Sequence, residues 1–459
     1  MSVRGRLWGR LQPAIVGGLK PALHWVVVLA VAFAADAAAT PDIQHWTTDG
    51  GTRVYFVAAP ELPIVDVEVA FAAGSAFDPL DRFGIALLTS TLLDEGAGGS
   101  HADEVAYEFE RVGARYGADA DADSAYATLR SLKDPDKLEV ALANFRRVLA
   151  QPDFPDDALA RQRKRFLIGL QRKQQSPGAI AGDAFALALY GTHPYAHPGE
   201  GDADSLARIT RADVVAFHAR HYTAANAVIA IVGDLKTRQA RNIAREIARA
   251  LPEGPPPPLP PDVPALSQAK TERIAHPSMQ MHILTGMPVM AIADPDFFPL
   301  FVGNHVLGGG GLVSRLFSEI REQRGLSYSA YSSFSARRRA GPFVAGLQTR
   351  ADQADEALAV LRDSLRRFID GGPTEEELEA AKKNITGGFP LRIDSNREIL
   401  SYTAYIGFYG LPLDYLDTFS ARVVAVTPAQ VQDAFRRRLD PDRLATVMVG
   451  PIEPAAPED

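Results

Sequence analysis

Two histidine pairs and one glycine-led segment are the places where this sequence could do chemistry. His193 and His197 flank Pro194 in GTHPYAHPGEG, a turn-rich stretch where proline excludes a helix. His218 and His221 lie one turn apart in ITRADVVAFHARHY (Ile209–Tyr222). Imidazoles so placed could ligate a divalent metal, but a zinc site needs three converging nitrogen or oxygen ligands, normally with one from a second element. The second pair has Arg220 between its members and no acid within a turn, so structural or solvent-facing roles suit both pairs better. A self-sufficient metal hydrolase built on His193 and His197 is the chemical alternative. Neither H-E-x-x-H nor H-x-x-E-H occurs in the sequence.

The third place is Leu307–Ser332, LGGGGLVSRLFSEIREQRGLSYSAYS. Gly308, Gly309, Gly310 and Gly311 precede a helical stretch carrying Arg315, Glu319, Glu322 and Arg324. A Gly turn then leads to a strand with Tyr328 and Tyr331. A phosphate loop would need a Lys-Ser/Thr end, which is missing. Solvated helix charges behind a flexible turn would explain the segment equally well. Against that, four consecutive glycines are costly to order and mark close backbone approach.

A chain of 459 residues, 46% apolar and 23% charged, must hold these segments. That material suffices for two to four domains with large cores and excludes general disorder. With no Cys, disulfides, thiolate zinc sites, iron–sulfur clusters and cysteine nucleophiles are excluded. A formal charge of −8 argues against general nucleic-acid affinity. Arg4, Arg6, Arg10 and Lys20 precede the apolar run Trp25–Ala35, and small residues follow up to Thr40. This pattern predicts a cleaved secretory signal over residues 1–39 and a periplasmic product. The run is too short to span a bilayer, so no stable membrane insertion is expected after cleavage.

The stretch LPEGPPPPLPPDVP, from Leu251, reads as an extended, semi-rigid linker. The expected organisation is therefore residues 40–250, a linker over 251–266, residues 267–453 and a short tail over 454–459. The halves look alike. The first reads as strands at Thr52–Val57 and Ile64–Ala72, a helix from Gly84 to Leu93, and a closing buried strand ending in Gly233. The second reads as a strand at Met279–Gly286, a helix from Phe297 to Leu307, and a closing strand reaching Gly450. A Thr-capped helix precedes each closing strand. An internal duplication follows, and the mixture of short turns and helical connections predicts an α+β fold.

Four segments make a resemblance specific: Gly74–Gly99 (GSAFDPLDRFGIALLTSTLLDEGAGG), Leu189–Gly201 (LYGTHPYAHPGEG), His221–Leu235 (HYTAANAVIAIVGDL) and Ser314–Ser332 (SRLFSEIREQRGLSYSAYS). Through them the chain resembles the pitrilysin-type (inverzincin) zinc peptidases over nearly all of its length beyond the leader. The resemblance implies two similar α+β domains, each an antiparallel-rich sheet with packed helices, forming half of a clam shell around an extended peptide. It also implies a helix carrying H-x-x-E-H, whose histidines bind zinc while the Glu activates water. Here Leu87, Ser90 and Thr91 occupy the His, Glu and His positions. The distal Glu ligand is implied near Phe166–Leu170, yet Arg161–Lys173 contains no acid and six basic residues. No zinc is expected in this chain.

The family's substrate-holding Arg and Tyr fall on Arg321 and Tyr328, suitable donors for a peptide carbonyl and a developing oxyanion. Gly308–Gly311 fall where related subunits carry a glycine-rich substrate loop. The implied function is the non-zinc subunit of a heterodimeric peptidase. Its partner would be a homologous zinc-bearing H-x-x-E-H chain, and its substrate a peptide or unfolded polypeptide. A non-catalytic scaffold or peptide-binding protein of the same fold is the alternative.

Overall fold

The structure is a computed structural model that describes residues 40–451; the expected leader and tail lie outside the described residues. Runs of Val, Ile and Ala build the first sheet, because β-branched side chains pack well on a pleated surface. Its strands are β1 (Gln44–Thr47), β2 (Arg53–Ala58), β3 (Ile64–Phe71), β6 (Arg115–Ala120), β7 (Ala125–Leu132) and β8 (Ala227–Gly233). The short pair β4 (Gly96–Ala97) and β5 (Ser100–His101) stands apart. The second sheet holds β9 (Lys270–Ala275), β10 (Gln280–Met290), β11 (Ser327–Phe334), β12 (Gly341–Arg350) and β13 (Ala445–Gly450).

The strand orders are β1-β2-β8-β3-β7-β6 and β11-β12-β10-β13-β9. Apart from β1 and the short pair, each half's last strand enters between its first and second, parallel to the first and antiparallel to the second. The duplication expected from the sequence is thus present in topology. The closing glycines agree. A Cβ on Gly233 would come within 2.3 Å of the Ile64 carbonyl oxygen, and one on Gly450 within 2.7 Å of the Gln280 carbonyl oxygen. At both corners the closing strand presses on the start of its antiparallel neighbour.

Seven helices flank the sheets and the segments singled out above: α1 (Ile85–Thr91), α2 (Asp156–Lys173), α3 (Pro177–Tyr190), α4 (Arg211–His221), α5 (Phe297–Asn304), α6 (Asn396–Tyr409) and α7 (Pro428–Arg438). Thr210 caps α4 and Thr427 caps α7, each in a reciprocal box with Asp213 or Gln430. Two other helices change sides. From the first half, α3 packs on β13 and β10; from the second, α6 packs on β8, β3 and β2. Phe185 and Leu189 of α3 share a buried cluster with Val447 and Val449, while Leu400, Ala404 and Phe408 of α6 share one with Tyr55, Ala70 and Val228. Each half thus completes the other's sheet.

The segment after the glycines is less regular than the expected helix. Helix α5 widens into a π turn over His305–Gly309, and Arg315–Phe317 is a single α turn followed by a second π turn, Ser318–Glu322. The N–H of Gly310 bonds the His305 carbonyl at 2.9 Å, and that of Gln323 bonds the Ser318 carbonyl at 3.0 Å. Such widened turns insert a residue into the helical register and occur often at functional sites.

Candidate functional site

Helix α1 is positioned by a carboxylate. Asp78 is buried, and its two oxygens accept the N–H groups of Gly84 and Ala86 at 2.7 and 3.0 Å. Along α1, Leu87 is half-buried, Ser90 is fully buried, and the Thr91 hydroxyl donates to the Leu88 carbonyl at 3.0 Å. Ser90 and Thr91 line a hollow of about 530 Å³ together with Asp94, Glu95, Gln162 and Phe166. Phe166 alone represents the window Phe166–Leu170; Gln162, one turn earlier on α2, also faces the hollow.

These residues do not fit a zinc ion. Leu87 has no donor, and hydroxyls at the other two positions are poor ligands. Glu95 is held by Arg161 at 2.7 Å and by the Gln162 amide at 2.6 Å. Burial, and further down the charge of Glu95, pushes the Asp94 carboxyl up. Arg165 adds a cation to the wall. Among the described residues, no group of three or more His, Asp or Glu side chains could hold a metal ion.

The four singled-out histidines are tied to backbone. His193 Nε2 lies 2.9 Å from the Pro261 carbonyl in the linker, and its Nδ1 accepts the Tyr195 N–H at 3.1 Å. His197 stacks on Phe83 at 4.1 Å and lies 3.1 Å from the Pro198 carbonyl. His218 Nε2 lies 2.9 Å from the Leu149 carbonyl, and His221 Nδ1 lies 3.1 Å from that of Ala72. Burial pushes both imidazoles of the second pair down to about 4. These are neutral packing histidines.

The second half brings Arg321 and Tyr328 together. Tyr328 sits in a bulge of the outermost strand β11, where pairing shifts from Ser327 with Thr349 to Ala330 with Leu347. The bulge is fastened by Ser327, whose Oγ lies 2.6 Å from the Gln348 carbonyl and accepts the Ser329 N–H at 3.2 Å. Tyr328 is 77% exposed. The Arg321 guanidinium, carried on the second π turn, lies 4.1 Å from the Tyr328 ring centre and 4.8 Å from that of Phe317. No ion pair engages Arg321 among the described residues. The pair therefore offers a phenolic hydroxyl and a guanidinium, stacked as a unit, at an open sheet edge.

The glycine run divides. Gly308 is buried, and a Cβ there would meet the Ser332 backbone nitrogen at 2.4 Å, so it admits β11 and does not reach solvent. Gly309 and Gly311 are exposed, and Gly311 has φ +63°, leading into exposed Leu312 and Val313.

The sequence reading missed two further features. Asp123 joins the halves: it accepts the Tyr195 hydroxyl from the first half, and the Tyr409 hydroxyl at 3.0 Å and Arg338 N–H at 2.8 Å from the second. Glu68 stands on the central strand β3, and IVDVEVAF, with acids alternating among valines, was its available signal.

Comparison with known proteins places these observations. Residues 53–202 match the family model described as insulinase (peptidase family M16), and residues 208–385 match the peptidase M16 inactive domain. The non-peptidase homolog YmxG of Helicobacter pylori is 27% identical over 394 residues, covering 84% of this chain and 89% of that one. An uncharacterized zinc protease YmxG of Bacillus subtilis is 23% identical over 359 residues, covering 78% and 86%. Among solved structures, a peptidase M16 inactive domain from Pseudomonas fluorescens has 40% identity and a TM-score of 0.87, covering 91% of this chain and 100% of that one. A protease from Helicobacter pylori shares the fold at 19% identity, with a TM-score of 0.81 over 90% of this chain and 100% of that one.

Proposed function

Because the chain belongs to peptidase family M16, we propose that it is the non-zinc subunit of a two-subunit metallopeptidase. It would supply Arg321 and Tyr328 to a peptide cleaved at a homologous H-x-x-E-H partner. The carrying observation is the contrast between halves: the α1 hollow lacks ligands, whereas Arg321 and Tyr328 stand stacked and open on β11. Hydrolytic chemistry, and zinc with it, belongs to the partner in this reading. This chain would hold the substrate backbone and donate to the carbonyl oxygen as it gains charge. Gly309 and Gly311, exposed beside Leu312 and Val313, would contact the polypeptide.

The resemblance to a protein named non-peptidase homolog favours a second reading, a peptide-binding or scaffold protein without catalytic partnership. Co-expression with a homologous H-x-x-E-H chain separates the two. The heterodimer reading expects a stable complex by size analysis and peptide cleavage that neither chain shows alone. The isolated chain is expected to carry no stoichiometric zinc; one tightly bound equivalent would overturn the assignment. We further propose export to the periplasm, checked by N-terminal sequencing of the recovered protein, with a start expected near residues 36–42.

A further inference from the structure

A cavity of about 730 Å³ opens between the first sheet and helix α6, lined by both halves. Its floor includes Asp66 and Glu68 on β3 with Tyr126 and Arg130 on β7; α6 contributes Tyr405, and the β6–β7 turn contributes Asp121 and Asp123. Three of these four carboxylates are engaged. Arg130 holds Asp66 through two bonds, at 2.6 and 3.1 Å. Asp121 accepts the N–H groups of Asp123 and Ser124 at 2.8 and 2.7 Å, and the Ser124 hydroxyl at 3.1 Å. Asp123 is the clasp between the halves.

Glu68 is the exception. It has no hydrogen-bond or ion-pair partner among the described residues, although it is half-buried in the cavity beneath α6. A carboxylate so placed is costly unless a cation or donors complete it. Tyr126 and Tyr405 add aromatic surface, which suits a cation. At the opening, Arg115 and Arg397 are exposed and unpaired among the described residues. The depth is thus anionic and the rim cationic. A polypeptide that turns a basic side chain inward and leaves carbonyl oxygens along the rim satisfies both.

We propose that this cavity is a subsite for a Lys or Arg side chain of a bound polypeptide, with Glu68 as its counter-ion. This rests on the reading of the chain as a peptide-binding subunit and names its substrate class. The test uses the purified full chain without any partner. Fluorescence anisotropy would compare labelled peptides that differ at one central position: Lys, Arg, norleucine or Glu. The Lys and Arg peptides should bind at least about tenfold more tightly than the norleucine peptide, the scale of one charge-assisted contact. Glu68→Gln should level the series, and Glu68→Asp should retain part of the preference, with folding of each verified by circular dichroism. Equal binding of all peptides by the wild type, or unchanged discrimination in Glu68→Gln, would overturn the subsite. So would n-butylammonium binding as tightly as the Lys peptide, since the cavity would then serve a free amine. Assembly with a zinc subunit is a separate readout. Discrimination without assembly would keep the subsite and remove only the heterodimer reading.

Discussion

Three residues before the closing glycine, the two sheets carry different residues on the same ladder. Glu68 pairs with Ala230, three residues before Gly233, and Leu284 pairs with Val447, three residues before Gly450. The second sheet packs a half-buried leucine against the cluster of α3, whereas the first leaves a half-buried carboxylate facing the cavity under α6. The outermost strands differ in the opposite sense. Beside β6 lies the hollow of Ser90, Thr91 and Phe166, while β11 presents Tyr328 with Arg321. A repeated scaffold therefore need not repeat its chemistry. Helix α1 keeps its place without metal ligands because Asp78 caps it, so those positions can change while the fold remains.

The largest expected effect is on the β11 side. In the proposed heterodimer, Tyr328→Phe would remove one hydroxyl and keep the ring, and loss of such a donor lowers kcat about 10²–10³-fold, roughly 3–4 kcal/mol. Steady-state kinetics should show kcat falling at least about tenfold with KM little changed. Cleavage at the wild-type rate would erase the functional difference between the halves and bring the scaffold reading forward.

Next comes the carboxylate on the ladder. Burial, and then the charge of Asp121, pushes the Glu68 carboxyl from its ordinary 4.5 up to about 7. The folded state thus holds this proton more tightly than the unfolded chain. The stability so gained is complete below the unfolded pKa and lost as pH rises through the folded one, about 3 kcal/mol across the window. Glu68→Gln cannot ionise, so urea unfolding should show it more stable than wild type at pH 8 by up to about 3 kcal/mol, with little difference at pH 4. Parity at pH 8 would mean that Glu68 is better solvated or paired than its surroundings indicate.

Gly308→Ala should cost about 1–3 kcal/mol, the usual range for overpacking, because its Cβ would press on the backbone of β11. Gly311 has open space around it, so Gly311→Ala should cost only about 1 kcal/mol through its positive φ. Thermal unfolding of the two variants compares them, and a reversed order would show that the run is held by backbone conformation and not by contact. The smallest effect belongs to the hollow. Ser90→Ala should change stability by less than about 1 kcal/mol and leave cleavage by the complex unaltered. A large loss of cleavage would give the first half a chemical role after all.

Strands β2, β3, β8, β10 and β13 were legible because each carries β-branched residues bounded by turn residues, whereas β1, β6, β7, β9 and β12, poorer in such residues, were not. The Thr-capped helices were legible because their caps are local. The exchange of α3 and α6 was not, since an apolar helix face says that it will be buried but not against which sheet. The π turns escaped for a related reason: they shift hydrogen bonds by one residue without changing the apolar pattern. At the site, Arg321, Tyr328 and the positions Leu87, Ser90 and Thr91 came from the resemblance to the peptidase family; the structure sets Arg321 against Tyr328, and Ser90 and Thr91 in one hollow. Asp123 could not, because its partners Tyr195, Arg338 and Tyr409 are brought to it only by the crossing of the two halves.

That crossing alters what the proline-dense connection is for. Ordinarily such a stretch is the only bond between neighbouring lobes, and a protease that severs it frees them. Here the lobes are interlocked by the helices they have traded, so a nick there should yield two fragments on a denaturing gel that still travel as one particle in native conditions. Neither lobe has a complete set of parts when made alone, since each would lack the helix that covers its sheet. Melting should accordingly proceed in one concerted step, and the connection serves chiefly to bring the lobes into register while the exchange is being made.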